Sequence, residues 1–114
     1  MKTFATIKVS GEIEFTEVSE DNEYDFLSAA VGGYIESVYL SGDLEEFSMW
    51  CNEEGKLTGL PLNHAATALW EVSYGKTDVM VGNVVITGGA DEEGNTIGLT
   101  PDQITRLAQT FELA

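Results

Sequence analysis

From Thr3 to Val18 the chain alternates residue by residue, first Thr3, Ala5, Ile7 and Val9 against Phe4, Thr6 and Lys8, then acid against Ile13 and Phe15. A period of two is the repeat of a β-strand, whose successive side chains point to opposite faces. Ser10-Gly11 interrupts the pattern with a turn signal, so the opening segment predicts an antiparallel hairpin over Thr3–Val9 and Glu12–Val18. The second strand is half-buried, with a charged outer face. A hairpin at the start commits the chain to antiparallel pairing and argues against an all-helical or doubly wound architecture.

The remaining segments fit that beginning. After Ser19, the stretch EDNEYDFLSAAV carries Tyr24, Leu27 and Val31 at helical spacing, with acids in the first turn, where they suit the helix dipole. Gly32-Gly33 ends the helix, because glycine takes the left-handed conformation of a C-cap. Tyr34–Leu40 and Glu46–Asn52 are β-rich; Glu53-Glu54-Gly55 predicts a hairpin loop, Gly55 supplying a positive φ, with Lys56–Leu60 as the returning strand. Asn63 is placed to cap a short helix over HAATALWEV, with Ala66, Leu69 and Trp70 inward. Asp78–Thr87 is the most apolar strand and is expected at the centre of the sheet. The C-terminal helix has the clearest local signature: Thr100 as N-cap, Pro101 at the first helical position and Gln103 completing a capping box. Ile104, Leu107, Ala108 and Phe111 form its buried stripe, and it runs to about Leu113. The turn Asn52-Glu53-Glu54-Gly55 and its following Gly59-Leu60-Pro61 are echoed by Asp91-Glu92-Glu93-Gly94 and Gly98-Leu99-Thr100-Pro101, either as a repeated turn unit or by chance.

The expected fold is α+β: a mainly antiparallel sheet of about five strands with two or three helices packed on one face of it. The chain is expected to form a single acidic domain over residues 1–114. Its expected core is Ile7, Phe15, Leu27, Ile35, Trp50, Leu69, Val81, Val84, Ile86, Leu107 and Phe111. With 43% hydrophobic residues, disorder is excluded as the reason for the acidity.

That acidity bears on partners. Twenty Asp and Glu stand against five Lys and Arg, a net charge of −15. Such a polyanion repels nucleic acid backbones and anionic membranes, and is drawn to basic protein surfaces or cations. The densest run holds Glu12, Glu14, Glu17, Glu20, Asp21, Glu23 and Asp25 with no basic residue among them. It reads either as a solvated surface or as a negative face that replaces phosphates on a basic partner. No apolar run is long enough to span a bilayer, Lys2 is followed by polar-rich sequence unlike a signal peptide, and the single Cys51 rules out an internal disulfide framework. A cytoplasmic, reducing setting is expected.

Catalytic constellations are not evident. Cys51 and His64, each the only residue of its type, are expected to be a buried inert thiol and a helix-start imidazole rather than a nucleophile and base. One Cys and one His are too few for zinc, and the Asp91–Asn95 loop lacks the glycine position of an EF-hand. No phosphate-binding glycine motif occurs. No catalytic residue, cofactor or metal site is therefore expected.

The ordered string Val31-Gly32-Gly33-Tyr34-Ile35-Glu36, Asn52-Glu53-Glu54-Gly55-Lys56-Leu57, Gly59-Leu60-Pro61, Asn63, Ala66-Thr67, Asp78 and Val81-Gly82-Asn83-Val84 resembles that of small phage- and prophage-associated proteins of domain-of-unknown-function family 3846. The resemblance covers about residues 26–87, leaving the acidic N-terminal hairpin and the C-terminal helix as flanks. It implies a phage-associated origin and the cytoplasm of an infected host cell, and it supplies no activity or catalytic residue. Two functional expectations follow. The first is a non-catalytic module, a monomer or homodimer, whose acidic run binds a basic host or phage protein as a nucleic-acid mimic. The second is a nucleotide-like ligand bound in a groove of Asn52, Glu53, Glu54, Asn63 and Thr67, the last two at a helix start.

Overall fold

The structure is a computed structural model and describes residues 1–112. Five strands form one antiparallel sheet: β1 (Lys2–Ile7), β2 (Ile13–Val18), β3 (Ile35–Tyr39), β4 (Ser48–Asn52) and β5 (Val84–Thr87), in the order β2-β1-β5-β4-β3. Three α-helices accompany them, α1 (Glu23–Val31), α2 (His64–Tyr74) and α3 (Pro101–Glu112). The fold is α+β. As its apolar run predicts, β5 is central, and all four of its residues are buried.

The sheet is covered on both faces, which corrects the expectation of helices on one. Alternation along the central strands separates the two cores. Phe4 and Val85 join Val18, Leu27 and Val31 under α1, whereas Ala5, Ile7, Val84 and Ile86 join Ala66, Leu69 and Leu107 under α2 and α3. A strand buried on both sides reads as a continuous apolar run rather than an alternation. VVIT in β5 is such a run.

Local chemistry sets the boundaries. Gly32 takes φ 82° at the end of α1, its N–H returning to the Ser28 carbonyl at 2.9 Å. Gly33 serves a different need: a Cβ there would lie 2.9 Å from the Asn52 amide nitrogen. The capping box of α3 forms as expected, the Thr100 N–H donating to Gln103 Oε1 at 2.9 Å and the Gln103 N–H to Thr100 Oγ1 at 3.2 Å. The part of that helix expected at Leu113 lies outside the described residues. Before α1, Glu20–Asn22 forms a single 3-10 turn, and Tyr24 is exposed rather than inward.

Two strand assignments are corrected. Lys56–Leu60 is a series of turns and pairs with no strand, so Asn52–Gly55 is not a hairpin loop; Gly59, not Gly55, takes the positive φ. Of Asp78–Thr87, only Val84–Thr87 joins the sheet. The two acidic turns share one local feature, although Gly94 takes a positive φ and Gly55 does not. Asn52 Oδ1 accepts from the Glu54 N–H at 2.8 Å and Asp91 Oδ1 from the Glu93 N–H at 2.9 Å, each side chain bonding the backbone two residues on. In the expected core, Ile7, Leu27, Leu69, Val84, Ile86 and Leu107 are buried, while Phe15, Ile35, Trp50, Val81 and Phe111 are only half-buried.

Candidate functional site

Several signature residues of the middle of the chain tie separate elements together by hydrogen bonds. Asn63 is 0% exposed. Its Oδ1 caps α2 by accepting from the Ala66 N–H at 3.0 Å, and its Nδ2 donates to the carbonyls of Ile7 at 3.0 Å and Gly82 at 2.9 Å. One side chain thus ties the start of a helix to the end of β1 and to the loop before β5. Asn52 donates from Nδ2 to the Val31 carbonyl at 3.2 Å, Thr67 Oγ1 accepts from the Met80 N–H at 2.9 Å, and Asn83 Oδ1 accepts from the Val9 N–H at 2.9 Å. A buried amide must have such partners, because leaving one unmade costs about 1–3 kcal/mol.

This framework engages the polar atoms of Asn52, Asn63 and Thr67, three of the five residues of the expected ligand groove, while Asn52 and Glu53 line an observed one. Asn63 is turned fully inward, and Asn52 and Thr67 bond the backbone. Only Glu53 and Glu54 of that set are exposed. A groove of about 210 Å³ does lie beside the loop, but between the β3 edge and α2. Val38, Cys51, Leu57, Trp70, Val79 and Val81 give it apolar walls, and Glu36, Glu53 and the Lys56–Asp78 ion pair also line it. Lys56 holds the Asp78 carboxyl below the usual carboxylate range, helped by the Val79 N–H. Burial, then the nearby Glu36 carboxylate, pushes the Cys51 thiol up to about 11, so it is an uncharged weak nucleophile at neutral pH. His64 is exposed at the first position of α2. Among the described residues, no group of three or more His, Cys, Asp or Glu is placed to hold a metal ion, and no helix is long and apolar enough to cross a membrane.

The acidic run sits at the other edge of the sheet, and it does not form one face. In β2, Ile13 and Phe15 pack toward α2 and α3 while Val18 packs toward α1. The same alternation puts Glu12 and Glu14 on the α1 side and Glu17 on the opposite side. Glu20 and Asp21 project from the 3-10 turn and Asp25 from α1, all exposed. Glu23 is the exception to the expected exposure: it is half-buried, with its carboxylate 3.1 Å from Lys2 Nζ. The carboxylates therefore wrap around the β2 edge as a rim. An open cleft of about 930 Å³ adjoins it, lined by Glu20, Asp21, Glu23, Lys2 and Asp91 among others. Backbone N–H groups, first that of Asn95 and then that of Glu93, lower the Asp91 pKa. Asp91 was absent from the expected site because it is distant in sequence. Pairing of β1 with β5, together with the bonds of Lys2 to the Thr96 carbonyl and of the Leu99 N–H to the Thr3 carbonyl, brings its loop to the acidic turn.

Four of the five basic residues are engaged internally. Lys2 bonds Glu23 and the Thr96 carbonyl, the latter at 2.7 Å; Lys8 lies 3.0 Å from Glu14; Lys56 pairs with Asp78, and Arg106 with Glu46. The Glu14 hydrogen bond and charge raise the Lys8 pKa, further favouring its charged form.

No curated protein and no solved structure matches the chain. A family model described as Domain of unknown function (DUF3846) matches residues 1–112. The match takes in the acidic run and α3 as well as the central string, so neither is a flank outside the family pattern. With several of its signature residues tying elements together and its whole described length matched, the chain belongs to the DUF3846 family.

Proposed function

We propose that this protein is a non-catalytic interaction module, phage-associated and acting in the host cytoplasm, that engages a basic surface on a host or phage protein. Its carboxylates stand where a nucleic acid would present phosphates. The observation that carries the reading is the internal use of four of the five cations. Lys2, Lys8, Lys56 and Arg106 are each held by the protein's own carboxylates, while Glu12, Glu17, Glu20, Asp21 and Asp25 are exposed around the β2 edge. A partner therefore meets a strongly negative rim. Such a rim steers a basic protein to it and makes the association salt-sensitive. The ligand-pocket alternative has less support, because the amide of Asn63 is already bonded to three backbone groups.

The test changes Glu12, Glu14, Glu17, Glu20, Asp21 and Asp25 to the corresponding amides and compares affinity capture from host lysate with the unaltered protein. The expected result is capture of basic proteins at low salt, lost at high salt and lost in the variant, with the folded-state circular dichroism spectrum preserved. Equal capture by both proteins at all salt concentrations would remove the charged rim from the mechanism.

A further inference from the structure

Strand β3 closes the opposite edge of the sheet, and its backbone is open to a further strand. The Glu53 N–H donates to the Tyr34 carbonyl at 2.8 Å, and the register continues through Glu36↔Cys51 and Val38↔Met49. In an antiparallel ladder, hydrogen-bonded and non-hydrogen-bonded pairs alternate. Ile35, Ser37 and Tyr39 therefore turn their N–H and C=O groups away from β4. Among these, the Tyr39 carbonyl accepts from the Tyr74 hydroxyl, which marks one end of the open stretch.

Natural edges are blunted by very short strands, charged side chains (lysine above all), prolines, bulges, inward-pointing charges or a covering element. The five residues of β3 hold one charge, Glu36, and no proline, and their register is unbroken. Beside this edge, apolar side chains are exposed among charged ones: Tyr39 is 69% exposed, Leu57 88% and Val79 43%. Exposed apolar groups gathered beside a groove mark an interaction site.

The groove matches one face of an added strand. Val38 and Glu36 point to the α2 side, and the groove of about 210 Å³ lies against them. Pockets for small ligands and cofactors span about 300–1,000 Å³. A smaller groove with apolar walls suits an apolar side chain. On the other face Tyr39 offers an exposed ring, which attracts a cation above it.

Charge decides the occupant. Glu36, Glu53 and the neutralised Lys56–Asp78 pair leave the groove negative, and a second copy would bring a further −15. We propose that the β3 edge takes up an extended segment of a basic partner protein, which adds as a strand, places alternate apolar side chains in the groove and directs basic side chains to Tyr39 and the acidic surroundings. Strand addition of this kind draws affinity from main-chain bonds and specificity from pockets for alternate side chains. This rests on the reading that the protein binds a basic partner, and it supplies the place and the form.

The experiment titrates isotope-labelled protein with a short capped peptide alternating lysine and leucine. Expected are amide shifts and slowed hydrogen exchange at Ile35, Ser37 and Tyr39, together with a change in Trp70 fluorescence. Ser37→Pro removes only an outward donor, which an edge strand tolerates. It should weaken binding by about tenfold or more, while the spectrum of the free variant stays dispersed. Leu57→Lys, at an exposed position, should weaken binding similarly through the groove. Absence of binding, equal binding of a glutamate–leucine peptide, or dimerisation through β3 would overturn the proposal. So would shifts confined to Glu12–Asp25 and unaffected by Ser37→Pro, an outcome that leaves the acidic-rim reading standing.

Discussion

Strands β2 and β3 occupy equivalent places at the two ends of the same sheet, yet their sequences treat exposure differently. Glu14 and Glu17 within β2, with Glu12 just before it, put carboxylates on both sides of that edge. β3 offers Glu36 alone and is surrounded by Tyr39, Leu57, Val79 and the apolar walls of a groove. Charges on an edge resist pairing with another chain, whereas a regular edge with few charges resists it less. On the proposed reading, one molecule would attract a basic partner broadly along one side and receive a segment of it on the other.

The largest effect should come from removing a support of the β2 edge. Leu107, 3% exposed, packs from α3 into the core that also holds Ile13 and Phe15 of β2. Leu107→Ala should lower unfolding stability by about 2–5 kcal/mol in chemical denaturation. Hydrogen exchange should accelerate in β2 more than in β3, because α3 packs against β2. A uniform acceleration would mean that the two edges are not separately supported.

A second prediction concerns Cys51, below the β3 edge. Its thiol pKa rises from 9.0 to about 11 on folding, so the folded state keeps its proton where the unfolded state loses it. Stability from this group is complete below about pH 9 and declines as pH rises from 9 toward 11. Cys51→Ser should flatten that part of the stability profile. At pH 8, native protein should react with a thiol reagent more than about tenfold slower than denatured protein.

Smallest is the Lys56–Asp78 pair at the groove. Both side chains are about half exposed, so Lys56→Met should cost less than about 1 kcal/mol. The Asp78 pKa is depressed from 3.8, so the pair's contribution is present above that value and lost as pH falls through the lower folded one. Comparing denaturation midpoints of the two proteins at neutral and strongly acidic pH checks both size and sign. Tighter binding of the lysine–leucine peptide by Lys56→Met would sharpen the contrast between the edges.

Local signals made much of the architecture legible. The hairpin of β1 and β2, the capping roles of Asn63 and Thr100 and the central run VVIT each depend on residues close in sequence. The errors arose where distant contacts decide. Lys56–Leu60 has apolar residues suited to a strand, but Leu60 packs against Gly55 and Gly82 instead, and no neighbouring strand is available. The cap made by Asn63 is visible in the sequence, whereas its bonds to Ile7 and Gly82 are not. The acidic run was correctly located as mostly exposed, but alternation along β2 splits it between two sides of the sheet. The β3 edge left no sequence signal, since whether a strand is central or terminal depends on which others pair with it.

The strand order has a consequence for how the chain assembles. β1 with β2, and β3 with β4, are neighbours in sequence and form pairs by closing short loops. The two pairs meet only through β5, at residues 84–87, which bonds β1 on one side and β4 on the other. Closing loops that long delays folding relative to the local pairings. During synthesis, two β-ribbons must therefore wait with apolar edges uncovered until the VVIT segment emerges and slots between them. A chain stopped before that point would hold both halves of the sheet and nothing to join them, leaving surfaces that favour aggregation.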